Sequence, residues 1–214
     1  LMYAKSAKYY LYWIKHLLLI VSALVVIWLV SGISLQLYEF RDSDPDRGAI
    51  MNGTDKFGDR FSQVTYLAQG WSASDSLWFY NTSQGSNLLP YSFFLVLEQS
   101  DSSALFRSDE NIDRYGYLPQ RPTISNPDGL PVGMVRDRYQ GKNYMGFTCA
   151  ACHTTQINYA GTGMRIDGGP ANSDMESFMI DLVNALYATL ENPDKLDRFM
   201  IQVLKQGDYQ NANH

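Results

Sequence analysis

An uninterrupted run of 19 residues without a charged side chain, LLLIVSALVVIWLVSGISL, occupies positions 17–35. At about 1.5 Å per residue, a helix of this length nearly crosses the roughly 30 Å hydrocarbon core of a bilayer, and Leu37 and Tyr38 extend it. A cleaved signal peptide has a shorter apolar core, and SGIS at 31–34 is a weak cleavage site. A buried core helix is the other alternative. The length of the run favours an uncleaved membrane anchor over residues 17–37.

The charges on the two sides of this run differ in sign. Lys5, Lys8 and Lys15 precede it without any acidic residue, whereas residues 39–46 hold four acidic residues and one arginine. Because basic residues concentrate on the cytoplasmic side of a membrane helix, the N-terminus is predicted to be cytoplasmic. We therefore expect a single-pass protein of a bacterial inner membrane, with the residues after 38 in the periplasm.

Both cysteines of the chain lie in one short motif, Cys149-Ala150-Ala151-Cys152-His153. C-x-x-C-H is the attachment signature of a c-type haem: the two thiols form thioethers to one porphyrin, and the histidine is the proximal iron ligand. In a helix, positions 149, 152 and 153 share one face. In bacteria this attachment takes place on the exported side, where the anchor places the motif. The sequence predicts one covalent haem c held by Cys149 and Cys152, with His153 as proximal ligand.

Two other uses of a C-x-x-C pair fit less well. A thioredoxin-like redox site follows a strand in an α/β context, which this segment does not offer. A structural zinc site needs four ligands, but the exported part has one histidine besides His153, His214, and no further cysteine.

The sequence does not identify the second axial ligand of the iron. Met175, Met179 and Met200 fit apolar helical stripes, which favours a packing role. Met164 follows two glycines in GTGM at 161–164, which we expect to form a loop, and is therefore the distal candidate. An open or water-bound distal site is the alternative.

Arg165 and Asp167 follow in the segment RIDGGPA at 165–171. A guanidinium suits carboxylate recognition, so Arg165 is a candidate for binding a haem propionate. The alternative is a local ion pair between Arg165 and Asp167 that stabilises a glycine turn.

The exported part of the chain is acidic. Residues 1–35 hold three of the 17 basic residues and none of the 22 acidic ones, so the remainder has a net charge of −8. This surface disfavours nucleic acid and would attract a basic redox partner, although mild acidity can also serve solubility alone.

Composition and periodicity divide the chain into three parts: a cytoplasmic tail and anchor at 1–38, a polar linker at 39–60, and a haem domain at 61–214 that we expect to be incomplete at its C-terminus. Residues 107–142, rich in proline and glycine, are predicted to be ordered loop. Ser173 with Glu176 fits a capping box for a helix that ends near Glu191, and Asn192-Pro193 starts another. The expected fold is mainly α, with long ordered loops around the haem.

Several segments together resemble a known family. They are YMGFTCAACHT at 144–154, INYAG at 157–161 and RIDGGPA at 165–171, with shorter likenesses at 84–86, 89–91, 130–133 and 188–190. Over residues 68–200 the chain resembles the first haem region of the di-haem cytochrome c peroxidase-like proteins that include the bacterial rubber oxygenases. Such proteins carry a second C-x-x-C-H, which this sequence lacks.

Two functions follow as expectations. The first is one-electron transfer by a membrane-anchored c-type cytochrome. The second, implied by the resemblance, is that the chain is the N-terminal part of a di-haem enzyme that acts on peroxide or dioxygen, which would require an open distal position. A structural or assembly subunit is a third class.

Overall fold

The computed structural model describes residues 2–41, 44 and 46–209. The chain divides into two compact units, Leu1–Ser43 and Asp44–His214. With 42% helix and 22% strand, the fold is mixed α/β. The prediction of a mainly α domain is therefore wrong.

The first unit is a helix, α1 (Met2–Arg41). Its segment Tyr12–Leu37 is long and apolar enough to cross a membrane, a property that a signal sequence would share. Ser22 Oγ donates to the Leu18 carbonyl oxygen at 2.8 Å, so this hydroxyl is satisfied within the helix, as a lipid environment requires. The side chains at 1–11 and 38–43, with most of the flanking charges, lie outside the described residues.

The second unit contains seven strands and six helices among the residues described. The strands are β1 (Gly53–Thr54), β2 (Arg60–Tyr66), β3 (Leu89–Pro90), β4 (Met134–Tyr139), β5 (Lys142–Phe147), β6 (Thr154–Tyr159) and β7 (Gly161–Asp167). The helices are α2 (Ala73–Asn81), α3 (Tyr91–Val96), α4 (Asp109–Arg114), α5 (Ala150–His153), α6 (Met175–Glu191) and α7 (Pro193–Lys205).

The strands form two sheets, and α5 lies between them in the chain. The larger sheet has the order β1-β2-β7-β6, in which β2 and β7 are parallel and the other pairs antiparallel. The smaller sheet has the order β3-β5-β4 and is antiparallel. Because β5 ends just before α5 and β6 begins just after it, the C-x-x-C-H segment is the connection from one sheet to the other.

Two tight hairpins account for the error in fold class. Gln140 and Gly141 connect β4 to β5. Ala160 and Gly161, the first residue of β7, form the turn between β6 and β7, and all four residues have positive φ. Two successive residues with positive φ form the type I′ turn, whose twist matches that of paired strands. The region 107–142, predicted to be loop, thus contains α4 and β4, and the expected loop at 161–164 is part of β7.

The core of the second unit lies between the smaller sheet and the C-terminal helices. Phe94 of α3, Phe106 and Phe178 of α6 are essentially inaccessible and belong to one cluster, which also includes Met145 of β5. Ala151 of α5 belongs to the same cluster. The motif helix is therefore attached to the core directly.

The two C-terminal helices follow the sequence prediction closely. Helix α6 ends at Glu191 as expected, and Asn192 caps α7 by accepting the N–H groups of Asp194 and Lys195 at 3.0 and 3.2 Å. The predicted N-cap of α6, Ser173, is wrong by one residue. Asp174 caps this helix instead and accepts from Ser177 N at 3.0 Å.

Candidate functional site

The side chains of the C-x-x-C-H motif separate into a buried and an exposed set. Ala150 and Ala151 are each 1% exposed, whereas Cys149, Cys152 and His153 are exposed. Ala151 packs in the main core and Ala150 contacts a second cluster with Tyr80 and Val132. The two alanines thus attach α5 to the protein body and leave the two thiols and the imidazole accessible.

Backbone contacts fix the start of α5. The Cys149 carbonyl oxygen accepts the N–H groups of Cys152 and His153 at 3.3 and 3.0 Å, and Thr148 N donates to the Gly133 carbonyl oxygen at 2.8 Å. Gly133 has a φ of +85°, and a Cβ on it would lie 2.1 Å from the Ala151 Cα. Only glycine allows the loop before β4 to approach the backbone of the motif helix so closely.

The end of α5 is held by the RIDGGPA segment. Gly168 N donates to the His153 carbonyl oxygen at 2.6 Å, and Ala171 N donates to the Cys152 carbonyl oxygen at 2.9 Å. These bonds satisfy carbonyl groups that a helix of four residues leaves without intrahelical partners. The orientation of His153 is therefore set by β6 on one side and by residues 168–171 on the other.

The exposed side of α5 has the donor groups that covalent haem attachment requires. Both cysteines are free thiols, and the His153 imidazole makes no hydrogen bond or ion pair with a described residue. Two thiols and an imidazole on one short helix can form two thioethers and one iron ligand. Across residues 2–41, 44 and 46–209, no group of three or more His, Cys, Asp or Glu side chains could hold a metal ion by itself.

Met164, the distal candidate, lies in the middle of β7 opposite Ile157 of β6 and Thr65 of β2. It is 43% exposed. The strand register places it three residues from Asp167, which pairs with the residue after His153, and this separation is about 10 Å along the strand. The strand fixes its backbone, so the freedom that a loop would have provided is absent.

Arg165 and Asp167 both lie on the inner face of β7 and are each 2% exposed. They do not form the local ion pair considered above. Arg165 donates from Nε and Nη2 to Gln156 Oε1 at 3.2 and 2.9 Å. Asp167 is paired with Arg47 instead, at 2.7 Å from Nη1.

Asp167 is the centre of a polar cluster that the sequence did not reveal. Besides Arg47, it accepts hydrogen bonds from the Tyr80 hydroxyl at 2.5 Å and from Thr154 Oγ1 at 3.4 Å. Burial raises the pKa of Tyr80 well above its ordinary value, so this hydroxyl stays a donor. Thr154 directly follows His153, and the cluster therefore fixes the beginning of β6. Arg47 and Tyr80 stand 120 and 87 residues from Asp167, and no local pattern marks them as partners.

Comparison of the sequence with curated proteins finds a relative of this chain. The chain is 32% identical over 167 residues to an uncharacterized protein, y4iJ, of Sinorhizobium fredii. The match covers 68% of this chain and 27% of that protein, so the chain spans about a quarter of the relative's length. No protein-family model matches the sequence. No solved structure matches it either.

Proposed function

We propose that this chain is a membrane-anchored c-type cytochrome that transfers electrons on the periplasmic side of a bacterial inner membrane. Cys149 and Cys152 attach the haem and His153 is its proximal ligand. The haem supplies an iron centre that takes up and releases one electron, with a potential set by its ligands and surroundings. Helix α1 provides the anchor through residues 17–37.

One observation carries this proposal: the separation of α5 into a buried pair of alanines and an exposed set of two thiols and an imidazole. A structural cysteine pair would be expected in the interior, since free cysteine is among the most buried residue types. Here both thiols face outward from a helix whose two ends are hydrogen-bonded to the body. Attachment would then require no unfolding of the motif.

The remaining chain features are consistent with a periplasmic electron carrier. The basic flank before the apolar helix favours a cytoplasmic N-terminus. The net charge of −8 outside residues 1–35 favours a basic redox partner protein and disfavours nucleic acid.

Replacing Cys149 and Cys152 together with alanine should abolish covalent haem. The full chain, produced in a bacterium with periplasmic haem-attachment machinery, should keep haem staining on a denaturing gel, and the double variant should lose all of it. Because both thiols are exposed and unpaired, the far-ultraviolet circular dichroism spectrum, which reports the backbone fold, should not change. Ser76→Ala, a buried substitution outside the motif, is the control that should keep its stain. Staining of the double variant, or none in the unmodified chain, would refute the assignment.

A second candidate is that the chain is the N-terminal part of a di-haem enzyme that acts on peroxide or dioxygen. The observation in its favour is that the chain covers 27% of the relative it matches, which leaves room in that longer protein for further domains. In this role Arg165 and Met164 would contribute to a haem environment with one open axial position.

The reduced optical spectrum with and without carbon monoxide distinguishes the two candidates. An electron carrier with two axial protein ligands should show a low-spin spectrum that carbon monoxide does not alter. Met164→Leu should then produce carbon monoxide binding if Met164 is the distal ligand, whereas Met179→Leu should not. A high-spin spectrum that responds to carbon monoxide in the unmodified protein would contradict the carrier and favour the enzyme.

A further inference from the structure

The exposed side of α5 has two different borders. Successive residues of an α-helix are about 100° apart around its axis, so Ala150 lies about 100° from Cys149 and about 60° from His153. Cys149 belongs to this projection because its backbone angles are helical. Ala151 lies on the opposite border, about 100° from Cys152. Residues that pack around Ala150 therefore flank the side of the motif that has His153.

A series of aromatic rings leads from Ala150 to the surface. Phe79 of α2 packs against the buried cluster that contains Ala150 and Tyr80. The ring of Trp71 meets that of Phe79 edge to face, with the two centroids 5.0 Å apart. Trp71 is itself 38% exposed. The indole therefore lies at the surface, one ring away from the cluster in which Ala150 is seated.

A backbone contact independently places Trp71 near the motif. Gln69 Nε2 donates to the Asp167 carbonyl oxygen at 2.6 Å, at the end of β7. On the other side of this strand end, Gly168 N donates to the His153 carbonyl oxygen at 2.6 Å. Because neighbouring strands are about 4.8 Å apart, Gln69 and His153 are separated by about two strand spacings, on the order of 10 Å. Trp71 follows Gln69 by two residues.

The properties of Trp71 suit the wall of a site for a flat cofactor. Sites for cofactors are lined mainly by hydrophobic and aromatic side chains, and an indole offers a large apolar surface that packs well against another ring system. Trp78 of α2 provides a contrast within the same segment. It is 65% exposed, and no ring contact joins it to a described residue.

We propose that Trp71 contacts the covalent haem and forms the wall of its site on the side of Ala150 and His153. This inference rests on the proposed function, because it takes the haem to be attached at Cys149 and Cys152. The contact excludes water from one edge of the haem, and burial of the haem is one of the factors that set its potential.

Alkylation of indoles by 2-hydroxy-5-nitrobenzyl bromide, mapped by peptide mass spectrometry, tests the contact in the native sequence. The haem-loaded full chain in detergent micelles is compared with the haem-free Cys149→Ala/Cys152→Ala chain. Trp71 should react at least threefold more slowly in the haem-loaded chain, and Trp78 should react at the same rate in both. Equal reaction rates of Trp71 in the two chains would overturn the proposal.

Haem staining of the same samples on a denaturing gel distinguishes this result from a failure of the proposed function. A stained chain in which Trp71 is not protected contradicts the contact alone. A full chain without any stain contradicts the attachment site, and the contact with it.

Circular dichroism of the Soret band gives a second readout, because coupling between the porphyrin and a nearby indole contributes to the amplitude of this band. Trp71→Leu should change the amplitude at least twofold, and Trp78→Leu should leave it unchanged at equal haem stain. Trp71→Phe, which keeps an aromatic ring, should give an intermediate amplitude. An unchanged band in a folded Trp71→Leu chain would contradict the contact. If this variant does not fold, alkylation of the native sequence decides.

Discussion

Replacing Gly133 with alanine should destabilise the second unit by about 3–5 kcal/mol, which combines backbone strain with overpacking. The new Cβ would lie 2.1 Å from Ala151 Cα and 2.2 Å from Ala151 N. Both are backbone atoms of α5, so no side-chain rotation relieves the contact. The φ of +85° adds strain for any residue with a Cβ. Denaturant titration followed by tryptophan fluorescence measures the loss.

Gly141→Ala is the matched control, because Gly141 has a φ of +80° and a Cβ there would have no neighbour within 4 Å. This substitution should lower the stability only through the strain of a positive φ, by about 1–2 kcal/mol. The difference between the two variants measures the packing of the 130–133 loop on α5. Equal losses would show that the Gly133–Ala151 approach does not contribute.

The Gly133→Ala variant also tests whether the packing of α5 is needed for covalent haem attachment. If α5 must be seated for both thiols to reach one porphyrin, Gly133→Ala should also lower the haem stain per molecule of protein. Gly141→Ala should not, because the turn between β4 and β5 has no contact with the motif. A normal stain in a strongly destabilised Gly133→Ala chain would show that attachment precedes the packing of α5.

Local signals in the sequence predicted the parts of this protein that local interactions determine. Asn192-Pro193 specified the start of α7 because a cap needs only the next three residues. The spacing within C-x-x-C-H specified a shared exposed side, because one helical turn sets it. The length and charge-free character of residues 17–35 predicted a long apolar helix, because both are properties of the segment itself.

The strands could not be predicted from local signals in the sequence. β2 pairs with β7 about 100 residues later, in register Phe61 with Gly161, and nothing in either segment encodes the other. The turns at Gln140-Gly141 and Ala160-Gly161 gave only a weak signal, because type I′ hairpins favour Asn, Asp or Gly before the glycine and these turns have Gln and Ala there. The glycines at 161 and 163 instead suggested a loop. The ion pair considered between Arg165 and Asp167 does not form for a similar reason. The charge of Asp167 is compensated by Arg47, which lies in the segment at 39–60 that the sequence suggested to be a linker.

Asp167→Asn should destabilise the second unit by about 3 kcal/mol, because removal of one partner leaves a largely buried Arg47 without its counter-charge. Arg47 and Asp167 are 21% and 2% exposed at the side chain, so water replaces the lost interaction poorly. The substitution keeps the size of the side chain and removes the charge. The amide nitrogen of the new asparagine replaces either Oδ2, to which Arg47 donates, or Oδ1, to which Tyr80 and Thr154 both donate. At least one of the three donors therefore loses its acceptor.

Asp181→Asn provides the comparison, because its ion pair with Arg114 lies at the surface, with 59% and 36% of the side chains exposed. The substitution should lower the free energy of unfolding by less than about 1 kcal/mol. Combining Asp167→Asn with Arg47→Met should cost less than the sum of the two single changes, because the second removes the stranded charge.

The local readout is hydrogen exchange of the Gly168 amide, which is bonded to the His153 carbonyl oxygen. Faster exchange in Asp167→Asn, with no change in Asp181→Asn, would place Asp167 among the groups that position His153. Unchanged exchange would restrict Asp167 to stabilising the fold.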